Sequence, residues 1–123
     1  MKLESDHSPS NYTIHSYGPG KVVINEETLT QALIVSPATL IRDWPPQTFE
    51  QVEAPHFEQI LALEPEIILF GSGASLRFAD AAIIARCYER GIGFESMDTA
   101  AACRSYTVLM AEGRQVVAAL LMI

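Results

Sequence analysis

The stretch ILFGSGASLRF, residues 68–78, decides the fold because it joins an apolar run to a glycine turn. The segment 66–70 shows no alternation of polar and apolar residues, which is typical of a strand buried on both faces of a parallel sheet. Apolar residues then recur at helical spacing from about Ala79 to Arg90. The stretch therefore predicts a buried strand, a tight turn and a helix in succession.

The C-terminal half repeats this alternation of strand and helix. A short strand is predicted over 93–96, and Asp98 is a suitable N-cap for a helix from Thr99 to about Glu112. A last apolar strand is predicted over 115–122. Successive strand–helix–strand units form parallel strand pairs with right-handed crossovers, so this half predicts a βαβαβ arrangement.

The N-terminal half has the pattern of antiparallel strands. Proline and glycine interrupt it at Gly18-Pro19-Gly20 and at Trp44-Pro45-Pro46. Four short strands are predicted: 12–17, 21–25, 30–35 and 39–43. A helix is predicted between Pro55 and Pro65. We therefore expect an α/β fold, a single three-layer β/α domain over 11–123, preceded by a flexible tail at 1–10.

Charge and hydropathy bear on the kind of partner. The net charge is −7; residues 1–66 hold ten acids and three bases, and residues 67–123 hold five of each. Because no cluster of Lys and Arg exists, nucleic acid is not expected as a partner. The longest apolar run, Val116–Ile123, is far shorter than the roughly 20 residues that span a membrane. With no signal-peptide pattern at the N-terminus, we expect a soluble cytoplasmic protein without membrane insertion.

The acidic residues between positions 50 and 66 form a cluster without a base in the sequence. One interpretation is a solvated face that promotes solubility. The other is a docking patch for a basic partner, formed by Glu50, Glu53 and Glu58.

Neither a metal nor a cofactor is expected. Cys87 and Cys103 stand sixteen positions apart and form no C-x-x-C pair. The three histidines, at positions 7, 15 and 56, have no metal-ligand spacing.

Two turns follow the carboxyl ends of predicted parallel strands, where open α/β sheets collect ligands. One turn runs over 71–75 and the other over 96–99, so we expect both at one edge of the sheet. The candidate ligand or partner residues at this edge are Gly71, Ser72, Gly73, Ser75, Arg77, Asp98, Thr99 and Cys103.

Each of these residues has either a functional or a purely structural interpretation. Amides of the glycine turn could bind an anion with help from Arg77, although Leu76 replaces the third glycine of a dinucleotide motif and no P-loop lysine follows. The turn could equally serve the fold, with a glycine at positive φ. Asp98 could be only a helix cap. Cys103 is either a reactive thiol or a buried, inert one, and no catalytic residue is assigned.

Two segments of the sequence resemble a known family. Residues 65–73, PEIILFGSG, are similar to its P-D/E-x-x-I/V/L-x-G-T/S-G segment, and residues 98–106, DTAAACRSY, to its D-T-x-x-A-C-x-T/S-F/Y segment. This is the Mth-type domain family of unknown function. Its relatives include a mitochondrial assembly factor for respiratory complex I and an adipogenesis-associated cytosolic protein. Thr107 stands where many members have Asn.

The resemblance implies a compact three-layer β/α domain and a protein partner, and it implies no enzyme. We therefore expect a non-catalytic interaction or assembly factor, which by the resemblance would assemble a respiratory or another complex. Weak homo-oligomerisation is a further alternative. The alternatives are a small-molecule or anion binder, or a small enzyme, that uses the 71–73 and 98–99 turns, and a scaffold whose glycines serve only the fold.

Overall fold

The computed structural model describes residues 11–123, so the predicted tail at 1–10 lies outside the described residues. The strands of this part are β1 (Ile14–Gly18), β2 (Lys21–Ile24), β3 (Glu27–Leu29), β4 (Leu33–Val35), β5 (Leu40–Ile41), β6 (Ile67–Gly71), β7 (Gly93–Met97) and β8 (Val116–Leu120). The helices are α1 (Glu58–Leu61), α2 (Ala81–Glu89) and α3 (Thr99–Ala111), and 3₁₀ turns occupy Phe49–Gln51 and Ala54–Phe57.

The strands form two sheets. A five-stranded sheet has the order β5-β4-β8-β6-β7, in which β6 is parallel to both β7 and β8 and β4 is antiparallel to β8 and β5. The strands β1-β2-β3 form a separate antiparallel sheet. The predicted α/β fold, with a parallel βαβαβ unit and antiparallel N-terminal strands, is therefore confirmed.

The five-stranded sheet separates two apolar clusters. In β8, Val117 and Ala119 face the cluster that contains Trp44 and the inner side of α2. The alternate residues of β8 face α3 and the three-stranded sheet. Both faces of β8 are buried, which explains why its sequence lacks alternation.

Side-chain caps fix where the two long helices begin. The Asp80 carboxylate accepts a hydrogen bond from the Ala82 amide at 3.0 Å, and Asp98 accepts one from the Ala101 amide at 2.8 Å. Each bond satisfies an amide of the first turn that has no partner within the helix. After α2 the chain turns at Gly91, whose φ of 72° suits glycine.

Three predicted elements are much shorter or are interrupted in the structure, and β3 was not predicted. The strand predicted at 30–35 begins only at Leu33, because residues 30–32 connect the three-stranded sheet to the five-stranded one. The Ala32 amide there donates to Gln47 Oε1 at 3.0 Å instead of to a neighbouring strand. The strand predicted at 39–43 shrinks to Leu40–Ile41, and the helix predicted after Pro55 is a 3₁₀ turn followed by the single turn α1.

Candidate functional site

The two turns after β6 and β7 meet at one edge of the five-stranded sheet. Gly71 lies opposite Met97 in the parallel register. Just beyond, the Ser72 amide donates to the Met97 carbonyl at 2.9 Å, and the Thr99 amide donates to the Gly73 carbonyl at 2.9 Å. Two turns that were expected to be neighbours are thus hydrogen-bonded directly to each other.

The Thr99 side chain lies at the centre of this contact and is completely buried. Its hydroxyl accepts a bond from the Gly73 amide at 2.8 Å and donates to the Leu121 carbonyl at 2.7 Å. A Cβ at Gly71 would lie 2.9 Å from Thr99 Oγ1 and 2.8 Å from Leu120 Cδ2. Gly71 is therefore required by close packing, and both hydrogen-bonding functions of the Thr99 hydroxyl are in use.

The Ser72 side chain organises the loop between β6 and α2. Its Oγ lies 2.8 Å from the Ser75 carbonyl and accepts a bond from the Arg77 amide at 2.9 Å. Gly73 has a φ of +105°, a conformation that other residues adopt only with strain. Ser75 is exposed on this loop. Because α2 begins at Ala81, the glycine turn is not followed at once by a helix N-terminus.

Arg77 is engaged outside the glycine turn. Its Nη1 lies 3.0 Å from Glu50 Oε2, and its guanidinium lies 4.2 Å from the centroid of the Phe49 ring. The Glu50 pKa is lowered, first by a hydrogen bond from its own backbone amide and then by Arg77. The arginine that was a candidate anion ligand thus bridges to the segment of residues 49–51.

Cys103 is a buried thiol on the inner side of α3, only 1% exposed. Burial raises its pKa to about 12, against a weaker opposite effect of Arg104. Since the thiolate is the nucleophilic form of cysteine, this thiol is a poor nucleophile at neutral pH. Asp98, five residues earlier, uses its carboxylate to cap α3.

The acidic residues near position 50 meet bases contributed by the other half of the chain. Glu58 forms two hydrogen bonds to Arg86, at 2.7 and 3.0 Å, and these bonds lower the Glu58 pKa. Glu50 pairs with Arg77 as described. The Glu53 amide donates to His56 Nδ1 at 3.0 Å within a reciprocal cap of the 3₁₀ turn. Two of the three carboxylates in the candidate docking patch therefore have an arginine partner.

A second surface feature was not found in the sequence. An apolar groove of about 390 Å³ lies between β7 and α3. Its lining residues are Ile67, Leu69, Glu95, Met97, Arg104, Ser105, Val108 and Leu109. The available signal was the spacing of two between Glu95 and Met97, which places both side chains on one face of their strand.

Two kinds of feature are missing among residues 11–123. No helix there is long and apolar enough to cross a membrane. Within the same range, no three metal-ligating side chains come together.

The sequence profile of a family described as "Protein of unknown function (DUF498/DUF598)" matches residues 14–121. The chain belongs to this DUF498 family. The match covers both candidate turns and the groove, so the site lies within the part of the chain that the family shares.

Proteins similar to the DUF498 chain include two curated proteins and one with a solved structure. It is 29% identical over 123 residues to NADH dehydrogenase (ubiquinone) 1 alpha subcomplex assembly factor 3 of Danio rerio, covering 98% of this chain and 70% of that protein. It is 27% identical over 118 residues to the 13 kDa major membrane protein of Francisella tularensis, covering 94% and 95%. The solution structure of a Mth938-like domain from Bordetella pertussis superposes with a TM-score of 0.82 at 30% identity, covering 98% and 92%. The Mth-type resemblance is thereby confirmed.

Proposed function

We propose that this protein is a non-catalytic interaction factor that binds another protein and supports assembly of a complex. The observation that carries the proposal is the closed contact between the two turns. The amides of Ser72, Gly73 and Thr99 and the Thr99 hydroxyl, which an anion or substrate would need, are bonded within the protein.

The chemistry of the remaining candidates supports the same proposal. Nucleophilic catalysis needs an activated group with a base within hydrogen-bond reach. The Cys103 thiol is buried and neutral at pH 7, and the Asp98 carboxylate is occupied as a helix cap. The relative in Danio rerio is named as an assembly factor, which agrees with a role in binding proteins.

We propose that an acidic surface in the N-terminal half of the chain binds a basic partner. The docking patch consists of Glu50, Glu53 and Glu58, and the whole chain carries a net charge of −7. Charge of one sign attracts a partner of the other and accelerates the encounter. Of the three, Glu53 is the one without an arginine partner among residues 11–123, so we expect it to contribute most.

We further propose that the protein acts in the cytoplasm. Its two cysteines are free and buried in separate apolar clusters, which suits a reducing compartment. Fractionation of cells that carry the tagged chain tests this, with recovery in the soluble fraction expected. Recovery of the chain in the membrane fraction would contradict the cytoplasmic location.

A native pull-down tests the interaction role. The tagged chain is recovered from native lysate and its partners are quantified by mass spectrometry, beside a Glu50→Lys/Glu53→Lys bait and a matched Glu89→Lys/Glu112→Lys bait. We expect one partner near equimolar yield with the wild type and the matched bait, and a loss with the patch bait. The absence of a partner at comparable yield, together with saturable binding of a metabolite, would overturn the proposal.

A further inference from the structure

Strand β7 is an open edge of the five-stranded sheet, with β6 as its only neighbour among the described residues. The Gly93 amide donates to the Glu66 carbonyl, and the Met97 carbonyl accepts from the Ser72 amide. Backbone groups of a strand point alternately to its two sides. The amides and carbonyls of Phe94 and Ser96 therefore point away from the sheet, where another strand can bind them.

An apolar surface lies directly beside this open edge. Helix α3 packs on β6 and β8, which leaves the α3-side face of β7 as the floor of the groove defined above. Met97 on the floor and Val108 on the wall contribute apolar surface, and Val108 is 56% exposed. An added strand would place alternate side chains over this groove.

The charge at the centre of the strand indicates what the added strand carries. Glu95 is the middle residue of β7 and is exposed on the groove side. Within the described part of the chain, no Lys or Arg lies within 4.0 Å of its carboxylate, and the nearby Arg104 donates to the Tyr17 hydroxyl at 3.1 Å. A side chain directly opposite Glu95 would lie about 5 Å away, close enough for an ion pair.

The same charge disfavours a second copy of this chain as the occupant. An antiparallel pair of two β7 strands that overlaps all five residues places Glu95 of one copy opposite Glu95 of the other. Like charges directly opposite each other destabilise strand pairing, and an inward-pointing charge on an edge strand is a known defence against self-association. The net charge of −7 acts in the same direction.

We propose that the β7 edge binds an extended segment of a different protein by adding a strand to the sheet. The segment carries Lys or Arg opposite Glu95 and apolar residues two positions to either side, over the groove. This inference rests on the proposed function of protein binding and names the surface and the chemistry of the partner segment.

Selection from a random 12-residue peptide library displayed on phage tests the chemistry of the segment. We expect enriched peptides with the alternation apolar–x–basic–x–apolar. With Glu95→Lys as the target, the central preference should change from basic to acidic residues, while the flanking apolar positions persist. No enrichment, or enrichment that ignores the charge of residue 95, would overturn the proposal.

Two pairs of variants test the mode of binding with the best selected peptide. Ser96→Pro removes an outward amide and should weaken peptide binding roughly ten-fold. Ser96→Ala keeps that amide and should bind the peptide as the wild type does. Both variants lose the hydrogen bond that Ser96 Oγ accepts from the Ala79 amide at 3.3 Å, so this loss does not distinguish them. Val108→Asp should also weaken binding, and Leu63→Asp, at an exposed apolar residue outside the groove, should not. Equal effects within either pair would contradict strand addition at this edge.

Measurements of the oligomeric state and of the lysate partner distinguish failure of this inference from failure of the proposed function. Sedimentation that shows a dimer lost in Ser96→Pro would assign the edge to a second copy and overturn the inference. A stoichiometric lysate partner that Ser96→Pro retains would also overturn it, while the interaction function would stand. Selected peptides without any lysate partner would support the edge chemistry and contradict the interaction function.

Discussion

The Gly73 amide donates to the Thr99 hydroxyl across 2.8 Å, and the Thr99 amide donates to the Gly73 carbonyl across 2.9 Å. This reciprocal pair ties the end of β6 to the start of α3. It converts the sheet edge where α/β proteins usually bind ligands into internal structure. The edge of β7 and the acidic docking patch are the two surfaces that we propose for recognition.

Removal of the Thr99 hydroxyl should destabilise the fold strongly. In Thr99→Val the shape is kept, but the Gly73 amide and the Leu121 carbonyl lose a buried partner, so we expect a loss of about 3 kcal/mol in the free energy of unfolding. Urea titration followed by circular dichroism measures it. Thr99→Ser keeps the hydroxyl and should lose clearly less. Equal losses in the two variants would show that the hydroxyl bonds are not what stabilises this contact.

A methyl group at Gly71 should also be destabilising. Because the new Cβ would lie 2.8 Å from Leu120 Cδ2 and 2.9 Å from Thr99 Oγ1, Gly71→Ala forces a shift of the packed β8 and α3 and should cost about 1–3 kcal/mol. Gly18→Ala is the matched control, since its Cβ meets only Lys21 Cε at 3.9 Å. Thermal unfolding compares them. A Gly71→Ala variant as stable as Gly18→Ala would contradict the close approach.

The Cys103 thiol should remain unreactive toward iodoacetamide at pH 8 in the folded protein and react after denaturation. Its pKa is raised to about 12 by burial, whereas the unfolded chain has an ordinary thiol pKa near 8.5. Above that ordinary value the unfolded state loses a proton that the folded state keeps, so stability falls as pH rises from about 9 toward 12. Cys103→Ala should show a shallower decline, measured by urea unfolding at each pH. Identical slopes in the two proteins, or rapid native labelling, would contradict the buried neutral thiol.

Loss of the Asp98 carboxylate should cost stability without a loss of partner binding. Asp98→Ala removes the bond to the Ala101 amide and should lower the unfolding free energy by about 1 kcal/mol. Asp80→Ala removes the corresponding cap of α2 and should cost a similar amount. If Asp98→Ala alone abolished the lysate partner at unchanged melting temperature, Asp98 would have to belong to the binding surface.

Much of the C-terminal half could be predicted because its physical signals are local. The unbroken apolar runs at 67–70 and 116–121 mark strands buried on both faces, and the aspartates before each long helix supply caps. The strand predicted at 30–35 is shorter in the structure, Leu33–Val35, because residues 30–32 connect the two sheets. Where the connection ends and the strand begins depends on tertiary packing, not on sequence spacing.

The position of the two candidate turns could be predicted from the sequence, but the hydrogen bonds that occupy their polar groups could not. Strand polarity brings the 71–75 and 96–99 turns together, as expected for parallel β6 and β7. Sequence spacing could not show that the Thr99 hydroxyl fills the contact, since that bond joins residues 26 positions apart. It also could not show Arg77 and Arg86 beside Glu50 and Glu58, 27 and 28 positions away.

Size-exclusion chromatography of native lysate, with the tagged chain at its native level, tests the central claim most directly. The chain alone has a mass of 13.5 kDa. An interaction factor should elute in a larger, heteromeric peak, and the tagged chain should leave that peak in the Ser96→Pro or Glu50→Lys/Glu53→Lys variant. Elution of the wild type wholly at the monomer mass would contradict the proposed function.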